Sequence, residues 1–255
     1  MTEQEFRNFF ALGLCVNGVA RRGKKLSDYS WTEISDLSAS GTAASMFSLG
    51  DTKDITMTTG EVLTVCIIGF NHDNLADGSG KAGITFGMLH NMAEKMDMHS
   101  ENTTDGGWDK YLMRSRLQPG GEIYGAMPAD LTAHIRPVVK LTAAASENSA
   151  IIQTVDYCFL LSEVEVFGYT SFSFPGEGTQ YSLYSGADTD SELFRKRLAN
   201  GAGDTADWFL RSPNMTIPDE RYRWCCDVSS DNEKAIPGNS RIYGHPEAVS
   251  FAFCI

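Results

Sequence analysis

At 255 residues the chain is long enough for one large domain or two small ones, and 42% hydrophobic with 21% charged residues is ordinary for a globular protein. A formal net charge of −12 speaks against a nucleic-acid partner, because phosphate contacts need a cationic surface. The longest apolar runs, VCIIGF and CFLLS, are strand-sized and far short of a bilayer, so membrane insertion is not expected.

The first residues, TEQEFRNFFALGL, place Thr2 and Glu5 at capping-box spacing and Phe6, Phe9 and Phe10 on one helical face. They lack the basic, apolar and small-residue order of a signal peptide, so synthesis in a reducing cytoplasm is expected. The stretch NGVARRGKKLSD reads as a solvated connector, which makes 1–30 a helical arm ahead of a domain at 31–255. Ser30 and Glu33 repeat the capping spacing before the stripe Trp31, Ile34 and Leu37, and a second short helix is expected through AASMF. DITMTTGEVLTVCIIGFNHD reads as two strands about a Thr-Gly turn, and KAGITFGML as a third.

GGWDKYLMRSRL reads as a helix stopped by QPGG, and MPADLTAHI as one opened by proline and ended at Pro137. AIIQTVDYCFLLSEVEVFG is the longest β-rich run, followed by the period-two aromatics of TSFSFPGEGTQYSLYSG. The frames DWFLRSP and AVSFAFCI close the chain. Short helices early and strands late predict an α+β fold with a mainly antiparallel sheet and long irregular loops.

Candidate chemistry is sparse. DGSGKAG at 77–83 lacks the first glycine of a phosphate loop, since position 75 is leucine, and Ala82 stands in place of the magnesium-binding hydroxyl. His72 and Asp73 are adjacent but have no further ligand at metal spacing, and are expected to hydrogen-bond backbone at a strand end. Glu163 and Glu165 alternate along an expected strand and so share a face, as a carboxylate pair for acid/base work or calcium, or more ordinarily as a solvated face or a partner for nearby arginines. Of the six cysteines, Cys15, Cys66, Cys158, Cys225, Cys226 and Cys254, none makes a C-x-x-C pair; Cys66, Cys158 and Cys254 sit in apolar runs as small buried hydrophobes, and at most one of Cys225 and Cys226 is exposed. No nucleophile, base and oxyanion site is assembled, so an enzyme is not expected, nor is any cofactor or metal.

Six ordered motifs, SWTEISDLSASGTAASMFSLGD, IIGFNHDNLADGSGKAGITFGM, DYCFLLSEVEVFG, GEGTQY, WFLRSP and VSFAFCI, resemble an uncharacterised family of phages and prophages of gut Firmicutes. The resemblance runs from about Trp31 to Ile255, with Phe209 where a second tryptophan is usual. The R-S-P box, the segment after it and the closing strand are also similar to C-type lectin-like domains, particularly the variable proteins of diversity-generating retroelements. That resemblance implies a lectin-like fold displaying a diversified carboxyl-terminal surface on a virion, for a bacterial cell-surface protein or glycan, with other virion proteins and further copies of the chain as partners. The calcium- and sugar-binding motifs of sugar lectins are missing.

On this reading Trp208, Leu210, Phe251 and Phe253 pack inward from the two frames, and 214–248 changes without touching the core. Retroelement mutagenesis of template adenines permits the types at Asn214, Thr216, Ile217, Arg221, Tyr222, Arg223, Asn232, Asn239, Arg241, Tyr243 and His245. It would leave Met215, Glu220, Trp224, Glu233, Lys234 and Glu247 invariant. Arg221, Tyr222, Arg223, Trp224 and Tyr243 are the residue types that dominate binding hot spots. Two other readings stand beside it: a structural virion protein that keeps the fold, with 214–248 buried against a fixed neighbour, and a hydrolase using Glu163, Glu165 or His72.

Overall fold

The computed structural model describes residues 24–145, 150–199, 205–216, 223–230 and 234–255. The expected Phe6–Phe10 helix and Cys15 lie outside them. A 3-10 turn at Leu26–Asp28 comes first, and Leu26 and Tyr29 are buried, so the packed body includes residues ahead of Trp31. Ser30 then caps the helix Trp31–Ala39: its Oγ accepts from Glu33 N, and its own N donates to the Glu33 carboxylate at 2.8 Å. Trp31 and Ile34 turn inward, and the Trp31 ring packs edge-on against Phe86 and Phe253. The second expected helix is present at Ala43–Met46.

Strands β1 (Thr52–Thr56) and β2 (Val62–Phe70) pair antiparallel about the Thr-Gly turn, and β2 pairs with β3 (Ile84–Met88). The chain then runs through a 3-10 turn, Gly107–Lys110, and the short helices Leu112–Arg116, Glu122–Ala126 and Ala129–Thr132. The single helix expected over GGWDKYLMRSRL is therefore two pieces, broken where Tyr111 takes an extended conformation and buries its ring. A hairpin of β4 (Val138–Ala143) and β5 (Ile151–Asp156) forms a separate two-stranded sheet.

After β6 (Cys158–Leu160) the β-rich run turns helical at Glu163–Phe167, which corrects the expected strand. Ser162 and Glu165 form a capping box there, with Ser162 N donating to Glu165 Oε2 at 3.0 Å and Glu165 N donating to Ser162 Oγ at 3.2 Å. Nor does TSFSFPGEGTQYSLYSG form strands: it is irregular until the helix Ser182–Ser185, which packs on β2. The last strands are β7 (Trp208–Pro213), β8 (Trp224–Ser229), β9 (Ile236–Arg241) and β10 (Phe251–Cys254).

Among the described residues three antiparallel sheets result, ordered β1-β2-β3-β10-β6, β4-β5 and β7-β8-β9. Mixed short helices and antiparallel sheets make the fold α+β, although strands and helices are interspersed along the chain. The two closing frames do not share a sheet. β10 is inserted between β3 and β6, whereas β7 borders the three-stranded sheet. Trp208, Leu210, Phe251 and Phe253 are buried as expected, but so are Phe209 and Arg211. β7 is covered on both faces, so its alternation separates two interior environments and not core from solvent.

A candidate ligand-binding surface at the end of the three-stranded sheet

The segment 214–248 is not a long loop outside the core. β8 is the central strand of its sheet, and Cys225, Cys226, Asp227 and Val228 are all buried. Small cysteines let β8 pack closely on both faces, which the polar texture of the segment concealed. Gly238 lies opposite Asp227, and a Cβ there would meet Asp227 Oδ1 at 2.2 Å. The second carboxylate oxygen of Asp227 accepts a hydrogen bond from Ser240 Oγ. Burial, with Asp207 and Glu247 nearby, pushes the Asp227 carboxyl up to about 7.

Antiparallel pairing brings the carboxyl ends of β7 and β9 beside the amino end of β8. Pro213 is opposite Cys225, Trp224 is opposite Arg241, and Ile242 N donates to Arg223 O at 3.2 Å. Thr216, Arg223, Trp224, Arg241 and Tyr243 thus gather at one open end of the sheet. Thr216, Arg223 and Tyr243 are exposed, and Trp224 and Arg241 half-buried. The Arg241 guanidinium lies over the Trp224 ring at 5.3 Å from its centroid. Neither Arg223 nor Arg241 forms an ion pair among the described residues.

The remaining expected contacts divide. Asn239 is half-buried further along edge strand β9, opposite Cys226. His245 is exposed on the following turn, where its N donates to Asp97 Oδ1 at 3.1 Å. Asn214 is a correction: it is fully buried, and its Oδ1 accepts from Thr216 N at 2.8 Å and from Thr216 Oγ1 at 3.0 Å. It shapes the corner after β7 and presents nothing to solvent. Ile217, Arg221, Tyr222 and Asn232 lie outside the described residues. Asp97 was missed by sequence reasoning, because it comes from a distant segment and carries no local signal.

The carboxylates considered for acid/base work have other tasks. Glu163 and Glu165 do not share a strand face. Glu163 accepts backbone N–H bonds from Ser171, Phe172 and Ser173 and a hydroxyl bond from Ser173. Glu165 makes two contacts with the buried Arg211 and an ion pair with the buried Lys140 at 2.7 Å. Lys140 pairs in turn with Asp73 at 2.6 Å. Asp73 also accepts from Thr85 and Tyr181, which replaces its expected backbone role with side-chain partners.

Burial alone would raise both acids, but the Lys140 charge at Asp73, and those of Arg211 and Lys140 at Glu165, hold them below the usual carboxylate range. Within this network Asp73 and Glu165 offset the charges of Lys140 and Arg211. His72 stacks on Tyr181 with ring centroids 4.0 Å apart, and burial lowers its pKa. Cavities of about 580 and 510 Å³ open elsewhere, and none of His72, Glu163 or Glu165 lines either. Among the described residues no group of three or more His, Cys, Asp or Glu is placed to hold a metal ion. Cys66, Cys158, Cys225, Cys226 and Cys254 are free thiols and buried.

No curated protein and no solved structure matches this chain. Residues 83–242, which run from the start of β3 to just past β9, match the family described as Domain of unknown function (DUF6273), and the chain belongs to that family.

Proposed function

We propose that this protein recognises a ligand, a bacterial cell-surface protein or glycan, through the open end of the β7–β8–β9 sheet. One observation carries the reading: Thr216, Arg223, Trp224, Arg241 and Tyr243, from three strand ends, meet at an accessible edge beside the buried strand β7 and the buried middle of β8. Arginine and aromatic side chains are the usual anchors of interfaces, and a rigid sheet holds them at little ordering cost. The Trp224–Arg241 stack preorganises one such anchor before any ligand arrives.

The motif resemblance supplies the biological setting, a lectin-like virion protein of a phage or prophage whose surface is diversified. The burial pattern narrows the positions at which such diversity can fall. Substitution is tolerated at Thr216, Arg223, Arg241, Tyr243 and His245, which reach solvent, while Asn214 and the stretch Cys225–Val228 are constrained by packing.

Binding of the fluorescently labelled protein to a panel of intact gut Firmicutes, read by flow cytometry, tests the proposal. Trp224→Ala, the double variant Arg223→Ala/Arg241→Ala and Tyr243→Ala are expected to lower cell binding about tenfold or more, with melting temperatures near that of the parent. Cells that bind parent and variants equally would show that recognition lies elsewhere on the molecule.

A further inference from the structure

The cavity of about 580 Å³ shares no residue with the strand-end surface. Its first wall is the turn between β1 and β2, its second the segment from Met92 to Met96, and its third the Glu122–Ala126 helix. Met57, Met92, Met96 and Ile123 supply an apolar lining, and Val62, 48% exposed, stands among the lining residues. Methionine is unbranched and polarizable, so such a surface adapts to differently shaped apolar groups.

The charged lining has a single sign. Glu61, Glu94 and Glu122 border the groove, and no lysine or arginine is among the residues that line it. Lys95, between Glu94 and Met96 in sequence, is engaged with Glu247 at 3.1 Å. Arg116 approaches Glu122 at 3.4 Å, and the Glu122 side chain still exposes 66% of its surface.

The walls are tied to one another. Ala93 N donates to Glu61 Oε1 at 2.6 Å, joining the turn to the second wall. Thr58 N donates to Ala126 O at 2.8 Å, joining it to the third. The groove is therefore preformed, and its volume falls in the range of sites that hold a ligand-sized group.

We propose that this groove docks a basic, amphipathic peptide segment of a partner protein. One apolar side chain of the segment seats among the methionines, and its lysines or arginines face Glu61, Glu94 and Glu122. Charge complementarity selects this occupant: a second copy of a chain with net charge −12 brings chiefly like charge to an acidic rim. An apolar groove reading an amphipathic helix is an established recognition mode.

The test uses the full chain and a fluorescein-labelled Lys/Leu amphipathic peptide of about four turns, titrated by anisotropy at near-physiological ionic strength. Glu94→Gln/Glu122→Gln removes two exposed rim charges, and Val62→Arg sets a cation at an exposed lining position. Each is expected to weaken binding about tenfold. A control variant, Asp188→Asn/Asp190→Asn/Glu192→Gln, neutralises exposed acids outside the groove and is expected to leave affinity unchanged. In the methyl spectrum of the methionine-labelled protein, Met57, Met92 and Met96 are expected to shift on peptide addition. Equal weakening by the control, or unmoved resonances of these methionines, would reduce the binding to general acidity and overturn the proposal. Sedimentation that finds the groove closed between two copies, with the peptide excluded, would overturn it in favour of self-association.

Discussion

The Arg211 guanidinium closes on the Glu165 carboxylate through both terminal nitrogens, at a point where neither residue reaches solvent. The same guanidinium donates to the carbonyls of Leu141, Leu160 and Glu177, so one side chain ties β7 to β4, to β6 and to the segment after the Glu163–Phe167 helix. Replacing Arg211 by Met leaves those carbonyls and part of the Glu165 charge without a partner. The expected cost is ~3–5 kcal/mol, measured by denaturant unfolding. In a double-mutant cycle with Glu165→Gln the pair should show a coupling energy of ~1–3 kcal/mol, and additive losses would refute the direct contact. Because Asp73 and Glu165 sit below the ordinary carboxylate range, their contribution is present above that range. It fades as pH falls through their folded-state values.

Asp227 titrates in the opposite sense. Burial raises its carboxyl from 3.8 to about 7, so in that interval the folded chain holds a proton that the unfolded chain has released. Stability must then fall as pH rises from about 4 to about 7, by at most ~4 kcal/mol. Asp227→Asn removes the titration. The variant is expected to lack this part of the pH slope and to exceed the parent in stability at pH 8 more than at pH 5. Chemical denaturation at the two pH values checks it, and parallel stability profiles would show that Asp227 is not the group responsible.

Local signals made much of this fold legible, and distant ones did not. The Ser30–Glu33 capping box, the β1–β2 hairpin and the buried cysteines of apolar runs each follow from neighbours in sequence. The same Ser-x-x-Glu signal stood at Ser162 and Glu165, but it was embedded in β-branched and aromatic residues whose propensity pointed to a strand. Trp224, Arg223, Arg241 and Tyr243 were recognisable by type, while their meeting at one end of a sheet depends on the β8–β9 register. The buried Arg211 network joins residues from five separate stretches of chain, and no spacing rule encodes it. Nor does any local pattern mark the methionine groove, whose walls are brought together only by folding.

Lys196 is a buried cation without a carboxylate among its described contacts. Its Nζ donates to Met88 O and stands 4.7 Å from the Trp208 ring centroid. Burial pulls its pKa down to about 8, opposed by Cys66. Between about 8 and 10.5 the unfolded chain binds the proton and the folded chain does not, so this group makes stability rise with pH through that window. Lys196→Met keeps the length of the side chain and discards the buried charge. The expected gain is ~1–2 kcal/mol at pH 7, after allowing for the hydrogen bond lost at Met88. Thermal unfolding at pH 7 and pH 10 decides it, since the gain should shrink at the higher pH.

Glu163 separates a structural role from a catalytic one. Its carboxylate gathers the backbone N–H groups of Ser171, Phe172 and Ser173, closing the turn that follows its own helix, and its own N donates to Ser212 Oγ at 3.0 Å. Glu163→Gln keeps the volume but turns one acceptor oxygen into a donor facing backbone N–H groups. A loss of ~1–3 kcal/mol is expected, with faster amide exchange confined to residues 169–174. A hydrolase built on Glu163 makes the contrary forecast: an unchanged unfolding curve and unchanged exchange, with only turnover removed. The two outcomes are read from the same purified variant. The hydrogen bonds around Glu163 favour the first, because its carboxylate oxygens already accept from four donor groups within the protein.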